Sequence, residues 1–232
     1  MLTRRPAAER GYAHHGWLES WHTFSFADYV DPVHVHFSVL RVINDDRIAP
    51  EAGFGTHPHR DMEIITCLLS GALEHRDSMG NGSVIRAGDV QRMTAGTGIT
   101  HSEFNPSSDE PTHLLQIWIL PERKNLVPEY EQKAFPREQR RGRWCTVASP
   151  DGRDGSLTIH QDVTLALTAL EAGETLLLQL APGRCAWIQV AEGEVEVDGM
   201  VLATGDGLKV VQQTEALLRA RTRVDLLFFD LP

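Results

Sequence analysis

Cysteine is scarce in this chain of 232 residues, with three in all: Cys67, Cys145 and Cys185. They lie too far apart for a disulfide framework or a thiolate zinc site, and such sparse use suits a reducing compartment. Cations are short as well. Lys and Arg number 22 against 32 Asp and Glu, giving a formal charge of −10. A duplex-binding surface needs a basic excess, so direct nucleic-acid contact is not expected. Long apolar runs are missing too. Stretches such as residues 114–120 are strand-sized, well below the ~18 residues that span a bilayer, so no membrane partner is expected. Arg4-Arg5 is followed by Pro-Ala-Ala-Glu-Arg instead of an apolar segment, which argues against a secretory or twin-arginine signal. The expectation is a cytoplasmic protein. With 41% hydrophobic residues the chain can still bury a core, which excludes disorder as its main state.

Helical periodicity is also nearly absent, and strand patterns dominate. Residues 37–44 (FSVLRVIN), 62–70 (MEIITCLLS) and 112–120 (THLLQIWIL) are short, rich in Val, Ile, Leu and Trp, and bounded by turn residues. Gly80-Asn81-Gly82 reads as a hairpin turn, because glycine and asparagine tolerate positive φ. Turn signals every 8–12 residues or so suggest a sandwich or barrel. Residues 127–141 form the one helical candidate, polar and interrupted by Pro136, with at most a short helix on each side, and they read equally well as a solvated linker. A boundary near residue 140 divides the chain into domains 1–140 and 141–232. Strand patterns resume at 157–161, 174–181, 186–191, 194–198 and 224–229. The two parts echo each other weakly, in Gly71 to Gly88-Asp89 and in Gly193 to Gly205-Asp206.

Histidine is what the chain has in number: 11 residues, several of them paired. His57 and His59 flank Pro58, and at strand spacing both project from one face. Proline cannot donate to a ladder, so that segment should be an edge or a bulge. His101 and Glu103 share a face by the same alternation. Two neighbouring strands could thus bring three imidazoles and a carboxylate to one ion, a donor set suited to Fe, Cu, Ni, Co, Mn or Zn. His34 and His36 form another such pair without a matching second motif and read as structural or surface residues. His75 follows the Gly71 turn and reads as an ordinary strand histidine that could reach a cavity. His22 is expected to pack or hydrogen-bond, Cys67 to be a small buried hydrophobe, and Trp17, Trp21 and Trp118 to be core or wall residues.

The spacing His57-x-His59-x-x-x-Glu63, then Gly71, Gly88-Asp89 and His101-x-x-x-Asn105, resembles the paired motifs of the cupin superfamily. The longer strings RVINDDRIAPEAGFGTHPHRDMEIITCLLSGALEHRDSMG, GDVQRMTAGTGITHSEFNPS and WLESWHTFSFADYVDP resemble the pirin family. VASPDGRDGSLTIHQDV resembles its bacterial quercetin dioxygenase branch. The resemblance implies an all-β bicupin, two jelly-roll β-barrels in one chain, with a metal in the first and none in the second. Carried over, the metal ligands fall on His57, His59, His101 and Glu103, and Glu63 becomes a residue that orients a ligand histidine.

The resemblance further implies a single divalent ion, Fe(II) foremost. The activity it implies is a dioxygenase that opens flavonols such as quercetin, or related aromatic enols, with dioxygen and release of carbon monoxide. Glu103 would be the base in that reaction. The other function that the resemblance offers is a metal-dependent, redox-sensitive regulator acting through a protein partner. A monomer is the expected state.

Overall fold

Strands are what these alternating sequences form, and the computed structural model, which describes residues 1–232, is built almost entirely of them. The one α-helix is the four-residue turn Arg137–Arg140, which opens just after Pro136. The region before that proline departs from the helical expectation. Glu129–Ala134 is a strand, paired residue by residue with Asp89–Thr94. Its charges explain why it lies in a sheet. Arg92, only 3% exposed, donates to Glu129 and Glu131 at 3.2 Å each, and the Tyr130 hydroxyl hydrogen-bonds Ser83. Cross-strand partners outweigh the weak helical propensity of a proline-interrupted polar segment.

The chain divides into two units. One comprises Gly11–Ala134 with Leu157–Gln161, and the other Met1–Arg10, Phe135–Ser156 and Asp162–Pro232. The second unit has a sheet in the order Leu2–Arg5, Gly207–Val210, Cys185–Glu192, Val224–Leu231, Thr164–Leu170, Cys145–Ser149. Its other sheet runs Thr175–Gln179, Glu215–Ala220, Glu194–Val197, Met200–Ala203. Between them Leu178, Ile188, Val195, Leu208, Leu218 and Leu226 form a dry core.

The first unit repeats this plan. One sheet runs Glu129–Ala134, Asp89–Thr94, Glu63–Ser70, Thr112–Ile119, Leu40–Ile48, Leu18–His22, Gly11–His14. The other runs Gly53–His59, Ile99–Phe104, Ala72–Asp77, Gly82–Arg86. All of these pairings are antiparallel. One core patch packs Leu18, Ile48, Leu68, Leu73, Ile85 and Leu114; another packs Ile64, Met93, Ala95 and Ile99. Between these patches the inward positions of the larger sheet turn polar. His22 stands opposite Asn44, Asn44 opposite Gln116, Gln116 opposite Thr66, and Thr66 opposite Gln91. That row crosses five strands and leads to the histidines.

Candidate metal centre

Gly53–His59 is an edge strand, the place that its proline requires. It pairs with Ile99–Phe104 so that His57 stands opposite His101, and the register slips between His101 and Glu103. The pairing needs a glycine at position 53, because a Cβ there would lie 2.1 Å from the carbonyl oxygen of Glu103. On its other side Ile99–Phe104 pairs with Ala72–Asp77, which sets Glu103 opposite His75.

This topology brings His57, His59 and His101 together, with ligand atoms within 4.8 Å of one another. Their ring centroids lie 4.4 Å (His57 to His101), 4.8 Å (His57 to His59) and 4.9 Å (His59 to His101) apart. Glu103 joins His101 and His75 in a second such group. The four residues singled out from sequence therefore converge, and His75 converges with them.

Hydrogen bonds set the tautomers. His57 Nδ1 lies 2.8 Å from the carbonyl of Gly55, which can only accept, so Nδ1 carries the proton and Nε2 carries the lone pair. The Gln91 amide donates to His75 Nδ1 at 3.2 Å, and His75 Nε2–H points at Asp77 Oδ2, 3.3 Å away. His101 Nδ1 lies 3.5 Å from His75 Nδ1 and must be the protonated partner. His101 Nε2 is thereby left as a lone pair, and this buried atom has no hydrogen-bond partner in the protein. An orphaned imidazole nitrogen among other imidazoles is the arrangement that a bound cation satisfies. The donor set fits a divalent transition metal.

Burial tunes the same groups. It pushes the His101 imidazole down to about 2 and that of His59 down to about 4, each helped by neighbouring histidines. Both rings are neutral at pH 7, and no proton competes with an ion there. Burial drives Glu103 the other way, up to about 7, although Gln116 Nε2 donates to its carboxylate oxygens at 3.2 and 3.4 Å.

Glu63 does not play the part expected of it. It is fully buried, but its carboxylate accepts from Thr94 Oγ1 at 3.1 Å and from the His160 backbone at 3.4 Å, and none of the clustered histidines hydrogen-bonds it. Strand alternation is the reason. Thr66 faces inward to Gln116, so Glu63, three residues away, faces the opposite side. His34 and His36 lie outside any strand and bond locally, to Asp31 and to the Ser38 carbonyl.

His57 and His59 line a cavity of about 800 Å³, together with Glu103 and Gln116. Aromatic side chains make up much of its wall, among them Tyr12, Trp17, Phe26, Tyr29, Phe54 and Trp118. Trp118 meets His59 edge-on at 5.1 Å and Phe26 at 5.4 Å. Trp118, a core or wall residue by sequence, is a wall residue of the site. The sequence alone marks His75 as an ordinary strand histidine and carries no motif that singles out Gln91, Gln116 or Asp46. The available signal was polar residues at inward positions of otherwise apolar strands.

Residues 4–119 match the family model described as Pirin, and residues 146–231 the one described as Quercetinase C-terminal cupin domain. The chain is 52% identical over 232 residues to the quercetin 2,3-dioxygenase of Escherichia coli strain K12, covering 100% of this chain and 99% of that one. The crystal structure of YhhW from Escherichia coli superposes with a TM-score of 0.96 at 52% identity, covering 100% of this chain and 98% of that chain. A second structure, bacterial pirin YhhW from Escherichia coli in complex with nickel(II), gives 0.96 at 51% identity, covering 100% and 99%. With two cupin-type domains, a histidine cluster in the first and likeness along its whole length, this chain belongs to the pirin family.

Proposed function

We propose that the chain is a metal-dependent dioxygenase that opens flavonols such as quercetin, consuming dioxygen and releasing carbon monoxide. The observation that carries this reading is that His57 and His59, clustered with His101, share an aromatic-walled cavity of about 800 Å³ with Glu103, which groups with the same His101. A regulator that only signals its redox state to a protein partner needs the donor set but not the cavity.

His57, His59, His101 and Glu103 would hold the ion, with Fe(II) as the first candidate among metals that such donors accept. When bound, the metal supplies a Lewis acid, a template for the substrate and an electron path to dioxygen. The protein's own residues do the rest. Trp118, Phe26 and Tyr29 offer flat apolar surface to the flavonol rings and exclude water. Glu103 takes the proton of the 3-hydroxyl, because a carboxylate beside the ion can exchange between ligation and proton acceptance. Gln116 holds that carboxylate in place through its amide. Dioxygen then adds across the heterocycle, the ring opens to a depside, and one ring carbon leaves as carbon monoxide.

The second cupin domain has no part in metal binding in this reading. Both candidate ligand groups fall within residues 57–103, and the last histidine in the chain is His160. A monomer accords with a separate core in each unit, and a reducing cytoplasm accords with three free cysteines.

The test is anaerobic reconstitution with Fe(II), Ni(II), Cu(II), Co(II) and Mn(II) in turn. Loss of flavonol absorbance and carbon monoxide release are then followed after oxygen is admitted, with the double variant His57→Ala/His101→Ala as control. Metal-dependent turnover that disappears in the control is expected. Metal-loaded protein that leaves quercetin intact would overturn the assignment.

A further inference from the structure

The cavity carries polar groups that the proposed chemistry does not use. Leu18–His22 and Leu40–Ile48 pair with Ser20 opposite Asp46 and His22 opposite Asn44, so by alternation all four share one face. All four line the cavity, and all are nearly buried, Asp46 to 3% exposure. Charged residues are seldom buried so deeply without partners. The Ser20 hydroxyl donates to Asp46 Oδ1, and Asp46 Oδ2 has no hydrogen-bond partner. Beside it, His22 Nδ1–H donates to Asn44 Oδ1 at 2.8 Å.

The position relative to the metal centre follows from the register. Asn44 stands opposite Gln116, whose amide holds Glu103, and Asp46 is the next inward residue along that strand. Asp46 and Gln116 are therefore diagonal neighbours, with about 7–8 Å between them. That separation is of the order of the distance from the reacting enol of a flavonol to a hydroxyl on a neighbouring ring. Phe26, Tyr29 and Trp118 line the same cavity.

We propose that Asp46, set by Ser20, is a specificity residue that accepts a hydrogen bond from a ring hydroxyl of the substrate remote from the metal, and so selects polyhydroxylated aromatics. Resting on the dioxygenase reading above, the proposal narrows its substrate class. The physical basis is asymmetric. A substrate with the hydroxyl satisfies the buried carboxyl, whereas one without it strands that group beside an apolar ring.

The experiment compares quercetin with 3-hydroxyflavone, which carries only the reacting hydroxyl. Binding to anaerobic nickel(II)-loaded protein is read by tryptophan fluorescence quenching, and turnover by the iron(II)-loaded enzyme is measured separately. Wild type is expected to bind quercetin at least 10-fold more tightly than 3-hydroxyflavone. In Asp46→Leu this ratio should collapse towards one, while Ser20→Ala should give an intermediate ratio. Removing Asp46 also removes a like charge near Glu103, but that effect is common to both ligands and cancels in the ratio.

A ratio that is unchanged in Asp46→Leu, with the variant folded by circular dichroism, would overturn the subsite. So would equal binding of the two flavonols by wild type, or binding of neither. Discriminating binding without any turnover would leave the subsite standing and refute the dioxygenase reading instead.

Discussion

His75 Nδ1 lies 3.5 Å from His101 Nδ1, and the two rings belong to directly paired strands. Gln91 and Asp77 fix the His75 tautomer, His75 fixes that of His101, and the outcome is an unprotonated His101 Nε2 at the centre of the cluster. His75 would thus act on a bound ion through His101.

Replacing His75 with Phe should weaken nickel(II) binding by about 10–100-fold, the usual cost of losing a residue that orients a metal ligand. Titration calorimetry on the metal-free protein reads the affinity. Nitrogen chemical shifts of the His101 ring read the tautomer, which should become mixed. Unchanged affinity together with an unchanged tautomer would show that His75 merely packs.

Glu103→Gln should separate binding from proton transfer. The amide still offers an oxygen and keeps contact with Gln116, but it cannot take a proton from a hydroxyl. Metal content by elemental analysis should fall less than turnover, and kcat should drop about 10²–10⁴-fold. Normal turnover with metal bound would remove Glu103 from the base role.

Gly53→Ala should disturb the site from outside it. The added methyl would meet the Glu103 carbonyl at 2.1 Å, so the two histidine-bearing strands have to move apart. A loss of about 1–3 kcal/mol in stability is expected from such overpacking. Weaker nickel(II) binding should accompany it, and a variant with wild-type melting and affinity would contradict the close approach.

Stability of the metal-free protein should carry the signature of its buried carboxyls. Burial raises Asp46 from 3.8 to about 7 and Glu103 from 4.5 to about 7. A carboxyl raised in the folded state favours folding while protonated. That contribution is complete below the unfolded value and is lost as pH rises through about 7. The depressed imidazoles of His59 and His101 work in the opposite direction, contributing above 6.5 and losing that contribution as pH falls towards about 4 and about 2, respectively. The comparison is therefore between wild type and Asp46→Asn, which stays neutral throughout. The variant's melting temperature should gain on wild type between about pH 5 and about pH 8 in scanning calorimetry. A difference that stays constant over that range would place Asp46 outside any titration.

Much of the centre was legible in the chain itself. Period-two spacing dictated that His57 and His59 share a face, and that His101 and Glu103 do. Proline at position 58 dictated an edge or a bulge. Alternating apolar strands with glycine turns dictated an all-β architecture, and the long pirin-like strings pointed to its family. These are properties of residues close in sequence, governed by backbone geometry alone. Register between distant strands is governed by packing of whole sheets, and only the tertiary structure decided it. That register set His75 against Glu103, brought Thr94 and His160 to Glu63 as partners, and made a strand of Glu129–Ala134. It also lined up Ser20 with Asp46 and Asn44 with Gln116 across the cavity wall, because a side chain's neighbours on a sheet come from other strands.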